Sequence, residues 1–462
     1  MKPPPHFAGA FQIFQESKGE THMRKILSLI LAASLLLGLG SAMATESPTE
    51  IVFWHSMGGV NGEAIAKMAE DFNVAYEGKI KVTVEYQGSY DDAINKIRAA
   101  GMSALPCDVV QVYDIGSRFM IDSGWALPIQ EMIDAEGYDI TQIEPNIAAY
   151  YTIDGKLYSM PFNSSTPLLY YNKTAFEEVG LDPDVAPKNF DEIVEMAEKL
   201  TVKDADGKVT RYGFGMGNYG WFFEQWMGKM GLHYVDNNNG RGADPATKVV
   251  FDETGGAEAI FGVWKRMIDE GIITYLGRGN NDAKAAFISK NIAITLESTA
   301  ALKSLLVNVG DEFEIGTGYF PNIHPDDEGG VSIGGGSLWM LASGNDEKQN
   351  AAWEFVKYMI SPDVQAFWNA QTGYFPITVA THDLDAFKDN LAQYPQFGTA
   401  IDQLHSTAPQ YAGALLSVFP EARALVETYT ERLINGELDI AATVTNLAKE
   451  INSAIEIYNL TN

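Results

Sequence analysis

From residue 50 onward the sequence alternates between strand-like and helix-like segments, and this alternation restricts the fold more than any other feature. Residues 50–54 are rich in β-branched and aromatic side chains, and residues 62–72 carry apolar side chains at helical spacing. Residues 79–86 alternate with the two-residue period of a strand, residues 91–100 return to helical spacing, and residues 107–113 form a short apolar run. Such repetition predicts an α/β fold with a mostly parallel sheet covered by helices.

The chain has 462 residues, which is enough for about two or three domain-sized units. It contains neither a long Pro- or Ser-rich linker nor a repeat, so we expect two lobes that share crossing segments. The expected N-terminal lobe takes residues 45–160 plus 300–350. The expected C-terminal lobe, with its closing helices, takes residues 161–299 plus 351–462.

Residues 23–44 have the pattern of a secretory signal peptide. Basic residues precede an apolar run, and Ala42-Met43-Ala44 supplies the small-residue pattern that signal peptidase recognises. We therefore expect cleavage near Ala44 and export of the mature chain to the periplasm. Met23 is then the expected start, with residues 1–22 upstream of it.

The charge balance and the cysteine count exclude several classes of protein. With 61 acidic and 32 basic side chains, the formal charge is −29, so no basic surplus is available to neutralise nucleic-acid phosphates. The single cysteine, Cys107, excludes an internal disulfide and a cysteine-based zinc site. The seven histidines are scattered without an H-x-x-x-H spacing, and we predict neither a metal nor a cofactor.

Two sequence patterns resemble catalytic motifs, but their surroundings do not fit. Residues 330–334 match G-x-S-x-G, yet a polar stretch precedes them and a strand-like stretch follows, the reverse of a nucleophile elbow. Residues 215–220 match G-x-G-x-x-G, yet they follow a polar stretch deep inside the chain. These glycines predict a loop that comes close to another group. We predict no catalytic residue, and the sequence favours binding over turnover.

Several polar positions are candidates for binding an anion. Ser165 lies at a turn before a proline, and Ser298 precedes a helical stretch whose first N–H groups it can cap. The glycine-rich residues 333–337 leave backbone amides unshielded, and Arg423 falls near the start of a helix. Sequence spacing alone does not establish that these positions converge.

Six motifs spread along the chain carry a resemblance to a known family. The chain resembles the extracellular solute-binding proteins of bacterial ABC importers and, among them, the periplasmic proteins that bind glycerol-3-phosphate. The motifs are Phe53-Trp54-His55-Ser56-Met57, Gln111-Val112-Tyr113, Pro161-Phe162-Asn163-Ser164-Ser165-Thr166-Pro167, Leu169-Tyr170-Tyr171-Asn172-Lys173, Gly334-Gly335-Gly336-Ser337-Leu338-Trp339 and Thr372-Gly373-Tyr374-Phe375-Pro376-Ile377-Thr378.

The resemblance implies two α/β lobes joined by hinge segments, with the ligand held in the cleft between them. It implies a carboxylate for the glycerol at Asp114, where relatives carry glutamate. Of two tryptophans that flank the glycerol, Trp221 matches one and Asn218 replaces the other. The implied phosphate contacts are Tyr90, Ser298, Gly335, Tyr374 and Arg423, with Ser165 in the same cleft.

The resemblance also implies a function. We expect the periplasmic binding subunit of an ABC importer, a monomer that captures glycerol-3-phosphate or a related glycerophosphoryl ester by lobe closure and delivers it to membrane permease subunits. Three alternatives stay open. In the first alternative the same scaffold binds a neutral sugar or oligosaccharide. In the second the chain is an exported hydrolase or phosphodiesterase, and in the third it is a sensor or adhesion module.

Overall fold

The described strands form two large sheets in different parts of the fold, and β5 and β6 form a separate antiparallel pair. The computed structural model describes residues 47–101 and 105–461, and Thr49–Asn462 form one compact unit. The predicted signal peptide and the predicted start lie outside the described residues. The strands are β1 Thr49–His55, β2 Ile80–Tyr86, β3 Val109–Tyr113, β4 Ala126–Leu127, β5 Thr152–Ile153, β6 Lys156–Leu157, β7 Met160–Ser165, β8 Pro167–Asn172, β9 Val202–Lys203, β10 Val209–Phe214, β11 Ile292–Ser298, β12 Ile315–Tyr319 and β13 Gly334–Leu341.

Each of the two large sheets mixes parallel and antiparallel strands. The first has the order β2-β1-β3-β13-β4, with β7 also paired to β13, and the second has the order β12-β8-β11-β10-β9. In the first sheet β1 runs parallel to β2 and β3, whereas β13 runs antiparallel to its three neighbours. In the second sheet β10 and β11 are parallel, and the remaining pairs are antiparallel.

The prediction of a mostly parallel sheet is therefore wrong, although the α/β class is confirmed. Helical crossovers do make the early strands parallel, as in the β1-α-β2 unit. Strand β13, however, enters the first sheet from a segment more than 200 residues further along, and it returns in the opposite direction. A local strand–helix–strand pattern does not specify the direction of such a distant strand.

Helices cover both sheets and form the end of the chain. Their ends carry the expected signals: Ser89 caps α2 in a capping box with Asp92, and Gly373 follows α13 in a left-handed conformation. The helices are α1 Gly59–Ala75, α2 Tyr90–Ala100, α3 Ser117–Ser123, α4 Ile129–Glu136, α5 Pro145–Tyr151, α6 Lys173–Glu178, α7 Phe190–Leu200, α8 Gly220–Lys229, α9 Gly256–Asp269, α10 Asn281–Ile288, α11 Leu302–Val309, α12 Asp346–Met359, α13 Pro362–Thr372, α14 Asp385–Gln393, α15 Gln396–Ser406, α16 Phe419–Ile434 and α17 Ile440–Thr461.

The chain passes from one sheet to the other at Thr166, the single residue between β7 and β8. The carbonyl of Thr166 accepts a hydrogen bond from the amide of Thr299, which follows β11, at 2.9 Å. The amide of Phe375 donates to the carbonyl of Ser164 at 2.9 Å, so a third segment meets the same crossing point. The end of β7, the end of β11 and the turn after α13 are thereby held together.

The predicted lobe boundaries remain a prediction, but two features bear on where they fall. Within residues 300–350, β12 belongs to the second sheet and β13 to the first. Within residues 351–462, α13 packs against α1, beside the first sheet. Helices α16 and α17 pack against each other and against α9, and α16 also contacts the turn that follows β3.

Among the residues described, none of the helices has the length and apolarity to cross a membrane.

Candidate functional site

A cavity of about 370 Å³ gathers most of the residues that the sequence analysis singled out. Eight of the nine predicted site residues line it, and Asn218 is the exception. A volume of this size is within the range of small-molecule sites in proteins. The lining residues are Tyr90, Tyr113, Asp114, Ser165, Tyr219, Trp221, Asn280, Asn281, Lys284, Glu297, Ser298, Ala300, Gly335, Tyr374 and Arg423.

Ends of strands and starts of helices bring these side chains together. Asp114 follows β3 directly and opens a short 3-10 turn, and Tyr90 is the first residue of α2. Ser165 ends β7 and Ser298 ends β11, on either side of the crossing between the two sheets. The cavity is therefore built from several distant segments, which explains why sequence spacing could not establish the convergence.

Tyrosine rings line part of the cavity, and neighbouring side chains hold them in place. The rings of Tyr90 and Tyr113 stack with centroids 5.1 Å apart. Asn163 donates from Nδ2 to the Tyr90 hydroxyl at 2.8 Å, and Gln111 donates to Oδ1 of Asn163 at 2.7 Å. On another side, the ring of Tyr374 stacks on Trp368 at 5.5 Å. Because these contacts fix the rings, the phenol groups of Tyr90 and Tyr374 hold defined positions at the cavity.

Arg423, on α16, is held between two buried carboxylates. Its Nε and Nη2 atoms donate to the two oxygens of Glu224, each at 2.8 Å, and Nη2 also lies 3.3 Å from Oδ2 of Asp114. The Asp114 side chain, which is expected to bind glycerol, lines the cavity and also contacts the guanidinium. The Nη1 group of Arg423 has no hydrogen-bond partner among the described residues, so one edge of the guanidinium retains its donors.

One guanidinium cannot neutralise two buried carboxylates, and their pKa values reflect this. Burial raises the pKa of Glu224 to about 7, against the opposing effect of Arg423. Burial also raises the pKa of Asp114 and that of the cavity-lining Glu297. For Arg423, burial alone would lower the pKa, but the two carboxylates outweigh it and raise the pKa, so the guanidinium stays charged.

Two buried polar atoms at the cavity have no partner within the described part of the chain. They are Nε1 of Trp221, a hydrogen-bond donor, and Oδ1 of Asn280, an acceptor. A buried polar group without a partner costs about 1–3 kcal/mol, so its presence beside a cavity indicates a partner supplied by a ligand or by water. The hydroxyl of Ser298 accepts from the amide of Ala300 at 3.1 Å, as the capping pattern predicted.

Glycines at two positions permit close backbone approaches around the cavity. Gly335 has a φ of +90°, and a Cβ there would lie 1.9 Å from the carbonyl oxygen of Asn163. Gly220 begins α8, and a Cβ there would lie 2.5 Å from the carbonyl oxygen of Arg423. Any side chain at Gly220 would push α16 away from α8 and would separate Arg423 from Glu224.

Asn218 does not reach the cavity. Its Nδ2 atom donates to the carbonyl of Glu427 at 2.8 Å, and its backbone bonds to Gly277 and Gly279. The same contacts explain the G-x-G-x-x-G pattern, because a Cβ at Gly217 would lie 1.8 Å from the carbonyl oxygen of Gly279. These glycines therefore accommodate another segment of the protein backbone.

The G-x-S-x-G segment has no features of a nucleophile elbow. Residues 330–333 are irregular and lead into β13, whereas an elbow joins a strand to a following helix. The hydroxyl of Ser332 accepts a hydrogen bond from Nε2 of Gln225 at 2.9 Å. The segment therefore lacks the strand–turn–helix order of a nucleophile elbow, as its sequence surroundings indicated.

Sequence reasoning missed the charged residues that complete the site. Glu224 lies three residues after Trp221 on α8, so helical spacing could have placed both on one face. Glu297 immediately precedes Ser298 on β11. Lys284, on α10, is a second cation at the cavity, and no pattern in the sequence indicated it.

A second cavity, of about 300 Å³, lies next to the first. Asp114 lines both cavities, Glu224 lines the second and Arg423 lines the first, so these three side chains form the partition between them. The aromatic side chains Tyr150 and Tyr234 also line the second cavity.

Residues 67–399 match the family described as Bacterial extracellular solute-binding protein. The sn-glycerol-3-phosphate-binding periplasmic protein UgpB of Escherichia coli (strain K12) is 30% identical over 413 residues, which cover 88% of this chain and 92% of the relative. The protein of the same name from Brucella abortus (strain 2308) is 30% identical over 439 residues, which cover 94% of this chain and 98% of the relative.

Solved structures share the fold. UgpB from Mycobacterium tuberculosis in complex with glycerophosphocholine has a TM-score of 0.74 at 23% identity and covers 90% of this chain and 100% of its own. The cyclic alpha-maltosyl-1,6-maltose binding protein from Arthrobacter globiformis has a TM-score of 0.71 at 21% identity and covers 88% of this chain and 99% of its own. The shared architecture is the two-lobe α/β fold of periplasmic binding proteins, as predicted.

Proposed function

The chain belongs to the bacterial extracellular solute-binding proteins, and we propose that it is the periplasmic binding subunit of an ABC importer that captures glycerol-3-phosphate or a related glycerophosphoryl ester. The observation that carries this proposal is that Arg423, whose Nη1 group keeps its donors, lines one cavity together with seven other residues expected to bind the ligand. The names of the relatives agree with this ligand class.

The donors around the cavity fit a phosphate ester. The Nη1 group of Arg423 offers charge-assisted hydrogen bonds, each worth about 1.5–3 kcal/mol net, and Lys284 adds a second positive charge. Hydroxyls of Ser165 and Ser298 add neutral donors. A micromolar dissociation constant needs about 8 kcal/mol, so a few such bonds suffice after the cost of ordering the ligand.

Glu224 acts in this scheme as a positioning residue for Arg423. Its two hydrogen bonds fix the plane of the guanidinium, so the Nη1 edge needs no reorganisation when the ligand arrives. Its raised pKa also limits the negative charge beside an incoming anion, because the carboxyl is partly protonated near neutral pH.

Uptake then follows from lobe closure. A ligand that contacts groups at the ends of both β7 and β11 bridges the two sheets and stabilises the closed form by its differential affinity. The closed monomer would deliver the ligand to separate permease subunits in the membrane. Export through the signal at residues 23–44, cleaved near Ala44, is part of the same proposal, as is the absence of catalysis.

A neutral sugar is a second candidate ligand, and one specific observation favours it. Asp114 lines the cavity and already contacts Arg423, and buried carboxylates are good acceptors for sugar hydroxyls. In that case Arg423 would be structural, and an anionic ligand would meet the carboxylate instead of free donors.

A thermal-shift panel separates the candidates, because a ligand that binds the folded state raises the apparent stability. We expect glycerol-3-phosphate and a glycerophosphodiester to raise the unfolding temperature, and maltose to leave it unchanged. A shift with maltose alone would favour the sugar candidate. Release of inorganic phosphate from the esters would instead establish a hydrolase.

A further inference from the structure

A carboxylate and two imidazoles that are distant in the sequence come together outside the cavity. Their ligand-type atoms, from Glu144, His382 and His405, all lie within 4.8 Å of one another. Nε2 of His382 lies 3.1 Å from Oε1 of Glu144, and Nε2 of His405 lies 3.3 Å from Oε2. We call these three residues the Glu-His-His cluster, and none of them lines the candidate ligand site.

The backbone around the Glu-His-His cluster is fixed by hydrogen bonds on both sides. The amide of Glu144 donates to the carbonyl of Ile377 at 2.9 Å, which ties α5 to the segment that leads to His382. Nδ2 of Asn146 donates to the carbonyls of Leu404 and Thr407, at 2.7 and 2.8 Å. These two carbonyls flank His405, so both imidazoles are held beside one carboxylate.

The orientation of His382 differs from that of a hydrogen-bonded histidine. Its Nε2 atom is buried and close to Oε1 of Glu144, yet it does not meet the angular requirement for a hydrogen bond with any described residue. In a metal site the lone pair of a ligand nitrogen points at the ion and not at the neighbouring ligand, which produces short contacts that are off the hydrogen-bond axis. A bound ion would supply the partner that Nε2 of His382 lacks, whereas Nε2 of His405 forms a hydrogen bond with Oε2 of Glu144 at 3.3 Å in the absence of an ion.

The spacing of the donor atoms also fits a shared ion. Zinc binds imidazole nitrogen at about 2.0–2.1 Å and carboxylate oxygen at about 2.0–2.2 Å, usually with tetrahedral geometry. Two ligands of such an ion are separated by about 3.3 Å. The two nitrogen-to-oxygen distances, 3.1 and 3.3 Å, agree with that separation.

The cluster is also accessible from solvent. The side chain of His405 is 50% exposed, which gives an ion a path from solvent. His405 also lies in the last turn of α15, where the helix dipole favours a cation.

We propose that Glu144, His382 and His405 form a binding site for a divalent transition-metal ion of the zinc class, with a fourth position open to water. Two imidazoles and one carboxylate suit zinc, copper or nickel better than calcium or magnesium, which prefer all-oxygen sites. The prediction of no metal rested on the scattered positions of the histidines. The fold brings two of them to one carboxylate.

Calorimetric titration of the untagged, chelator-treated protein with zinc chloride at a mildly alkaline pH tests the proposal. At that pH histidines are normally neutral and free to bind metal. We expect one zinc ion per chain at micromolar concentration. His405→Ala, His382→Ala and Glu144→Gln should each weaken binding at least about tenfold. Cobalt titrated in the same way should give visible absorption bands typical of a tetrahedral site.

His324→Ala is the matched control, because His324 also lies near a carboxylate, 3.4 Å from Asp327, but has no second imidazole beside it in the described part of the chain. It should leave zinc binding unchanged. Circular dichroism without metal checks that each variant folds, and the half-exposed His405 keeps the test valid if Glu144→Gln fails to fold. Undetectable zinc binding at millimolar concentration, or binding that the three variants leave intact, would overturn the proposal.

Discussion

Arg423 and Glu224 form a two-point ion pair that links α16 to α8, with Nε and Nη2 each 2.8 Å from one carboxylate oxygen. This contact positions the guanidinium of Arg423, and the carboxylate of Glu224 also competes with any anionic ligand for that guanidinium. Whether the pair supports or opposes anion binding depends on its protonation state and on the edge of the guanidinium that stays free.

The pH dependence of binding should report the titration of Glu224. Burial raises its pKa to about 7, so the carboxyl is mostly neutral below that pH and mostly ionised above it. Because an ionised Glu224 repels an anion and engages Arg423 more strongly, affinity for a monoanionic glycerophosphodiester should fall about tenfold from about pH 6 to about pH 8. The diester itself does not titrate in this range, so calorimetry at several pH values isolates the protein group.

Glu224→Gln is the control for this dependence. Glutamine keeps a hydrogen bond to Arg423 but cannot ionise, so the affinity of the variant should vary little across the same pH range. If the variant retained the full slope, the titrating group would be another one, such as Asp114 or Glu297, both of which have raised pKa values.

Trp221→Phe should weaken ligand binding without lowering stability. The indole N–H of Trp221 is buried at the cavity and has no partner among the described residues, so its removal takes away a donor that only the ligand can use. We expect a loss of about tenfold in affinity by calorimetry and little change in the unfolding free energy.

Trp226→Phe provides the contrasting variant on the same helix. Its indole N–H donates to the carbonyl of Pro321 at 3.2 Å, away from the cavity lining. We expect a loss of about 1–3 kcal/mol in the free energy of unfolding, with unchanged ligand affinity. Equal effects of the two substitutions on affinity would contradict the role given to Trp221.

Gly220→Ala should disrupt the approach of α16 to α8. A Cβ at this position would lie 2.5 Å from the carbonyl oxygen of Arg423, and relieving that clash should cost about 1–3 kcal/mol in unfolding free energy. Gly262→Ala is the control, because a Cβ there meets nothing within 4 Å and the position lies inside α9. By helix propensity it should stabilise the protein by up to about 1 kcal/mol in denaturant unfolding. A neutral Gly220→Ala would show that the contact is looser than described.

Local sequence patterns predicted the fold class well and the long-range pairing poorly. The alternation of strand and helix periods identified β1, α1, β2 and α2, because each of these elements buries a face that its own period defines. The direction of β13 depends on a segment that arrives from far along the chain, and no local period encodes it.

The residues of the candidate site were likewise predicted only in part. The resemblance to known solute-binding proteins supplied eight positions that line the cavity, including Arg423 and Tyr374, whereas Asn218 is not among the lining residues and its side chain bonds to a backbone carbonyl. Glu224 was missed because its importance arises from a contact with a residue 199 positions away. Such a partner becomes visible only when two helices are packed together.

Calorimetric titration with glycerol-3-phosphate is the sharpest test of the proposal that Arg423 binds an anionic ester in the cavity. Wild-type protein should bind one ester, and Arg423→Ala should bind it at least about tenfold more weakly. Arg432→Ala, on the same helix but exposed and paired with Glu437, should bind like wild type. Unchanged affinity in Arg423→Ala, or wild-type protein that binds maltose and not the ester, would contradict the account.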